Sequence, residues 1–184
     1  PTRSTCSTRC QVTRNTARSH SRCIVIETMG NKCGDLALFG AVSCGVDAVI
    51  TREHPMSEED LFKRLTAKKE KNPDAYAVVV ISEKNPECQL NDIVEKIKVN
   101  TPFGAHVRGT SLGFVQRGGN PCTFDRILAI RMGVRAVELL ADGQGGRCVG
   151  IRKNTIVDYD IVEALAKERV ADPDIARLPE ILMQ

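Results

Sequence analysis

Hydrophobic positions in this chain come in short blocks whose period changes from one block to the next. Cys23–Glu27 (Cys-Ile-Val-Ile-Glu) is a β-branched run that reads as a strand. Ala75–Ser82 (Ala-Tyr-Ala-Val-Val-Val-Ile-Ser) is apolar almost without interruption, as expected of a strand covered on both faces. Between and beyond these runs the pattern predicts a helix over Asp35–Cys44, a strand over Asp47–Ile50 and a helix over Leu90–Val99. An extended segment over His106–Leu112 and a helix over Thr123–Ala141 follow. Ser57 followed by Asp60 resembles a capping box that opens a further helix to about Lys71. Strands alternating with helices in this rhythm predict an α/β fold with a mainly parallel sheet flanked by helices.

In the last predicted helix, Ile127, Ile130, Val134 and Val137 form one apolar stripe, and Leu128, Met132, Ala136 and Leu139 form another. Arg131, Arg135, Glu138 and Asp142 occupy the remaining face, so the helix is predicted to be largely buried. Residues Pro1 to about Val12 are rich in Ser, Thr, Arg and Cys and show no apolar period. Residues 1–13 are therefore expected to be a disordered or aberrant start, and 14–184 the folded region.

Composition narrows the classes. A length of 184 residues suffices for one sizeable core. The net charge of +3 is too small to argue for nucleic acid. Arg3, Arg9, Arg14, Arg18 and Arg22 cluster near the start, but no aromatic residues interleave with them, and no nucleic-acid partner is expected. No apolar run approaches the roughly 20 residues of a membrane-spanning helix, and no signal peptide is recognised. Of the eight cysteines, only Cys6 and Cys10 form a close pair, with no second pair to complete a zinc site. Free thiols in a reducing cytoplasm and no metal ligands in this chain are the expectation.

Two stretches carry candidate chemistry. In Leu112-Gly113-Phe114-Val115-Gln116-Arg117-Gly118-Gly119-Asn120-Pro121, a strand-like run leads to paired glycines and a proline suited to a first helical turn. Arg117 at such a turn is placed to fork onto a phosphate or carboxylate. Upstream, Ile24–Glu27 is followed by Thr28-Met29-Gly30-Asn31-Lys32-Cys33-Gly34-Asp35, a strand end and glycine-bracketed loop of the kind where α/β proteins collect ligands.

Both stretches resemble the ATP-dependent 6-phosphofructokinase family, whose patterns are V-x-E-x-M-G-R-x-x-G and L-G-H/Y-x-Q-R-G-G-x-P-x-x-x-D-R. Gly145-Gly146-Arg147-Cys148-Val149-Gly150-Ile151, Asn154 and Asp158–Ile161 continue the likeness, which runs from about Arg14 to about Arg169. The resemblance implies the C-terminal, sugar-phosphate-binding portion of a bacterial-type enzyme that transfers the γ-phosphoryl of ATP, with Mg2+, to fructose 6-phosphate. The family's ATP loop, magnesium segment and catalytic aspartate belong to an upstream half, so no catalytic base is expected here. By resemblance, Met29, Gly30 and Asn31 form the loop over the sugar, Glu83 accepts its hydroxyls, and Phe114 and Arg117 face the 6-phosphate. Arg22 and Arg108 match arginines that reach the same phosphate from the adjacent subunit, in a homotetramer. Arg14, Gly45, Asp47 and Lys71 match positions of an effector site for ADP or phosphoenolpyruvate.

Three departures matter. Asn31 stands where the family has arginine, and Phe114 where it has His or Tyr. Each replaces a polar partner of the phosphate, a loss worth about 1–3 kcal/mol. Asn72–Tyr76 departs from a basic run at the effector site, removing positive charge. These features also fit a non-catalytic sugar-phosphate-binding fragment, and a pyrophosphate-dependent phosphofructokinase is the other alternative.

Overall fold

The structure is a computed structural model and describes residues 2–167 and 173–182. Arg169, near the end of the family likeness, lies outside the described residues. The described residues form two compact units, one of 2–119 with 173–182 and one of 120–167.

The larger unit is built on four parallel strands: β1 (Cys23–Thr28), β2 (Ala48–Ile50), β3 (Ala77–Ser82) and β4 (Val107–Ser111). They lie in the order β2-β3-β1-β4. β1 and β3 are central, and their side chains divide between two cores by the period of two that a pleated strand imposes. Cys23, Val25, Ala77, Val79 and Ile81 face one side, against Leu61 and Leu65 of α3 (Glu58–Lys71) and Ile93, Val94 and Ile97 of α4 (Leu90–Asn100). Ile24, Ile26, Val78 and Val80 face the other, against Ala37, Leu38, Ala41 and Cys44 of α2 (Asp35–Cys44). The predicted α/β architecture, with helices on both faces of a parallel sheet, is what the structure shows. Element boundaries agree closely with the pattern, and Ser57 caps α3 by accepting the Asp60 N–H at 3.1 Å.

The first residues differ from expectation. Thr2–Ser19 is one helix, α1, rather than irregular chain. Its buried side chains are Cys6, Cys10 and Ala17, which pack against α2. Their spacing of four and seven is helical; the stripe is made of small residues and cysteines, which a scan for Leu, Ile and Val passes over.

In the second unit, α5 (Thr123–Ala141) precedes a hairpin of β5 (Arg147–Arg152) and β6 (Thr155–Asp160), closed by Lys153 and Asn154, both with positive φ. Pro121 lies just ahead of α5 rather than in its first turn, and Asp125 accepts the Cys122 N–H at 2.9 Å. Asp158 of β6 accepts two hydrogen bonds from Arg135 of α5, at 3.1 and 2.9 Å, and pairs with Arg147 of β5. Arg131 donates to the Asn154 carbonyl at 2.8 Å. The hairpin therefore engages the charged side of α5.

The predicted burial of α5 is not observed: Leu139 is its one buried residue, while Ile127, Ile130, Val134 and Val137 are 52–67% exposed. An apolar period reports that a face favours burial, not that a partner is present. Three short helices complete the described chain: α6 (Ile161–Ala166), α7 (Pro173–Ala176) and α8 (Leu178–Leu182).

The double-sided core predicts an asymmetry in stability. Ile81→Ala, at a fully buried position near the end of β3, is expected to lower stability by about 2–5 kcal/mol. Val99→Ala, on the exposed side of α4, is expected to change it by less than about 0.5 kcal/mol. Urea denaturation of both variants checks this, and equal losses would contradict the assignment of the core.

Candidate functional site

Parallel strands release their following loops from one edge of the sheet. Thr28 is in register with Ser82, and Glu27 with Ser111, so Met29–Asn31, Glu83–Lys84 and residues 112–119 leave from that same edge. The chain after β1 turns to α2 on one face, whereas the chain after β3 turns to α4 on the other. Adjacent strands whose connections part to opposite faces leave a crevice between their ends, where ligands bind in open α/β sheets.

Glu83 stands in that crevice. Its own N–H donates to the Thr28 carbonyl at 2.9 Å, fixing it beside β1. Oε1 accepts the N–H groups of Gly30 at 2.9 Å and Asn31 at 2.7 Å, tying the β1 loop to the end of β3. Lys84 Nζ donates to Asn31 Oδ1 at 3.0 Å. Gly30 is required sterically, since a Cβ there would lie 2.0 Å from the Cys33 carbonyl oxygen.

Residues 113–117 form a 3-10 turn rather than the strand-like run the pattern suggests; Gly113, at φ 49°, starts it, and buried Gln116 donates to the Gly113 carbonyl at 3.2 Å. Arg117 lies over the Phe114 ring at 5.0 Å. Thr5 of α1 donates to the Gly118 carbonyl at 2.8 Å, so the first helix braces this turn. Burial raises the Glu83 carboxyl, but the Asn31 and Gly30 N–H groups, with Lys84 and Arg117, outweigh it and hold the group below its ordinary 4.5. The predicted set Met29, Gly30, Asn31, Glu83, Phe114 and Arg117 thus gathers at one edge. It offers a cation, a carboxylate and backbone donors, suited to a ligand with an anionic group and hydroxyls.

Arg22 and Arg108 are elsewhere. Arg22 directly precedes β1, and Arg108 pairs with Ile24 near the start of the strands. A strand of six residues is about 20 Å long, so these arginines sit at the opposite edge from Arg117. Arg108 donates to the carbonyls of Ala105 and Val107 at 2.7 and 2.8 Å.

The second predicted cluster assembles in part. Gly45, Asp47 and Lys71 line a cavity of 360 Å³ together with Arg64 and Lys68. Asp47 is committed to structure: Oδ2 accepts the Val78 N–H at 2.8 Å, and Oδ1 pairs with Lys68. Lys68 also lies over the Tyr76 ring at 4.8 Å, with Arg14 on the same ring at 5.9 Å and its buried Nε unpartnered. Arg64 and Lys68 were not among the predicted effector residues. Their helical spacing with Lys71 on α3 was the signal available, and they supply positive charge that the departing Asn72–Tyr76 run lacks.

Glu53 was likewise missed. Both its carboxylate oxygens accept the Gly34 N–H at 3.1 Å, at the start of α2. Among the described residues, no group of three or more His, Cys, Asp or Glu side chains could hold a metal ion.

A parallel sheet covered on both faces, with Glu83 and Arg117 in loops that leave the same end of its strands, defines an α/β fold with a candidate ligand crevice. The chain belongs to the phosphofructokinase family, whose sequence model, described as Phosphofructokinase, matches residues 3–140. It is 43% identical over 169 residues to the ATP-dependent 6-phosphofructokinases of Bacillus cytotoxicus and Bacillus mycoides, covering 92% of this chain and 51% of each relative. The chain spans about half the length of these curated relatives. Among solved structures it is similar to phosphofructokinase from Saccharomyces cerevisiae, at TM-score 0.77 and 28% identity, covering 89% of this chain and 23% of that one. A pyrophosphate-dependent phosphofructokinase from Nitrosospira multiformis shares the fold, at TM-score 0.79 and 15% identity, covering 99% of this chain and 54% of that one.

Because the folded state holds the Glu83 carboxyl below 4.5, ionised Glu83 contributes stability above that pH and loses it as pH falls through the lowered value. Glu83→Gln keeps an acceptor for Gly30 and Asn31 but removes the charge. We expect the variant to melt below wild type at pH 7, with the gap closing as the pH falls below the ordinary carboxylate range and Glu83 is protonated. A gap constant across that range would show that the charge is not stabilised by the loop.

Proposed function

We propose that this chain supplies the acceptor side of a 6-phosphofructokinase, the part that holds fructose 6-phosphate while the γ-phosphoryl of ATP is transferred to its 1-hydroxyl. The observation that supports this reading is that Glu83, bound to the Gly30–Asn31 backbone, and the Arg117 turn leave the same end of the parallel strands. Arg117 would fork onto the 6-phosphate, with Phe114 beneath it limiting its swing. Glu83 has one oxygen occupied by the loop and a second to accept sugar hydroxyls, with Met29 and Asn31 closing over the ring. Phosphoryl transfer depends on positioning and charge neutralisation, and these residues perform the acceptor's share.

Arg22 and Arg108 complete the phosphate site only if a second copy presents its opposite sheet edge, so assembly, in a tetramer by family likeness, is part of the proposal. The donor and its magnesium, together with the base that deprotonates the 1-hydroxyl, are assigned to groups outside this chain. ATP is taken as donor from the names of the relatives. The cavity of Gly45, Asp47, Arg64, Lys68 and Lys71, with Arg14 nearby, is assigned to an anionic effector of the ADP or phosphoenolpyruvate type. The exposed apolar stripe of α5 is the surface left for the remainder of such an enzyme to cover.

Calorimetry with fructose 6-phosphate tests the acceptor site. Arg117→Ala is expected to weaken binding roughly 10- to 100-fold, the worth of charge-assisted hydrogen bonds, with Arg22→Ala weakening it as well in the assembled protein. Binding equal to wild type in Arg117→Ala would overturn the phosphate assignment. With MgATP added, ADP release by this chain alone is expected to be absent; measurable turnover would place the base within it.

A further inference from the structure

Lys84 takes no part in the grip on fructose 6-phosphate, yet the backbone is shaped around it. Lys84 has φ 52° and Asn31 has φ 56°, in the left-handed region that a lysine enters only at a cost in energy. The chain on either side holds Lys84 there. Before it, the Glu83 N–H donates to the Thr28 carbonyl at 2.9 Å. After it, Asn85 is 3% exposed, and its Oδ1 accepts the Glu87 N–H at 3.2 Å. The Asn85 carbonyl accepts from the Cys88 N–H at 3.3 Å and from Gln89 Nε2 at 2.6 Å. A left-handed lysine fixed so firmly by its surroundings points to a use for its side chain.

That side chain is exposed and reaches from the end of β3 to the β1 loop, where Nζ donates to Asn31 Oδ1 at 3.0 Å. An exposed hydrogen bond to a neutral amide adds little stability, so it does not by itself offset the strained backbone. The amide also leaves the ammonium charge uncancelled: Asn31 holds a cation at the crevice without neutralising it. Arg117 belongs to the other side. β1 runs between β3 and β4, so the chain after β3, with Lys84, and the chain after β4, with Arg117, flank the β1 loop. β3 and β4 are two strand spacings, about 10 Å, apart. Cations on loops from strands so spaced, with the Glu83 carboxylate and the Gly30–Asn31 backbone at the same edge, match a hydroxylated body of hexose length with an anion at each end.

We propose that Lys84 determines ligand specificity by binding the second phosphate of a sugar bisphosphate, with Asn31 holding it in place, while Arg117 takes the first. The proposal rests on the reading of the Arg117 turn as the 6-phosphate site. An ammonium has three N–H donors, so Nζ keeps one on Asn31 and turns the others to phosphate oxygens. The crevice then prefers a sugar bisphosphate to a monophosphate.

Calorimetry on the full chain, with fructose 6-phosphate and fructose 1,6-bisphosphate titrated separately, tests this through the ratio of the two affinities. Wild type is expected to favour the bisphosphate about 10-fold, the worth of one charge-assisted contact. Lys84→Gly removes the ammonium and suits a left-handed turn, so the loop keeps its shape. It is expected to bring the ratio close to one, and Lys84→Arg to restore the preference. Arg117→Ala is expected to weaken both ligands. An unchanged ratio in Lys84→Gly, including equal weakening of both ligands, would show a purely structural lysine and overturn the proposal. A wild type that does not favour the bisphosphate overturns it likewise. In either case the 6-phosphate reading stands as long as Arg117→Ala loses affinity for both ligands. Wild-type affinity for both in Arg117→Ala, or no binding of either ligand by wild type, overturns that reading and this proposal together.

Discussion

Burial of both faces of β1 and β3 is the constraint on which the rest of the larger unit depends. Because consecutive side chains in a strand point to opposite faces, Val25 and Val79 can serve the α3–α4 core while Ile24 and Val78 serve the α2 core. Two central strands apolar on both faces admit only helices as neighbours above and below, and parallel strands then need a crossover between each pair. The crossovers leave to opposite faces after β1 and after β3, and that parting opens the crevice in which Glu83 stands. The site is thus a consequence of how the core is covered.

Glu83 shows how one side chain joins fold and chemistry. Its Oε1 satisfies two backbone donors of the β1 loop, which would otherwise face the crevice unpaired, and its charge is sustained by Lys84 and Arg117. Arg117 in turn rests on Phe114, within a turn that Thr5 of α1 braces through the Gly118 carbonyl. The first helix therefore belongs to the architecture of the site, although its sequence has few large apolar residues. Cysteine does the work of leucine there: small, apolar when buried, and able to sit against the glycine of a facing helix.

Charge follows a similar economy at the opposite edge. Asp47 takes the Val78 N–H and pairs with Lys68, so a carboxylate beside a cavity of cations acts as a structural anchor and leaves Arg64 and Lys71 to face the space. In the second unit Asp158 accepts from both Arg135 and Arg147, and burial is not needed for that fork to orient the hairpin on α5. Membership in the phosphofructokinase family agrees with the parallel sheet and with the two stretches of chain at its edge.

Read alone, the sequence determined the elements and the candidate site, because both rest on local signals: an uninterrupted apolar run for β3, Ser57 at the start of α3, and glycines where backbone must turn tightly. Met29, Gly30, Asn31, Phe114 and Arg117 lay in motifs legible along the chain, whereas Glu83 was a candidate through the family resemblance alone. Only the tertiary structure decided which of them meet, since contacts across the sheet depend on strand order, which no local period contains. It alone separated Arg22 and Arg108 from Arg117, added Arg64 and Lys68 to the cation cavity, gave the first residues a helix, and left the stripe of α5 open. Each of these is set by what lies opposite in space, and a pattern along the chain records only what a face prefers.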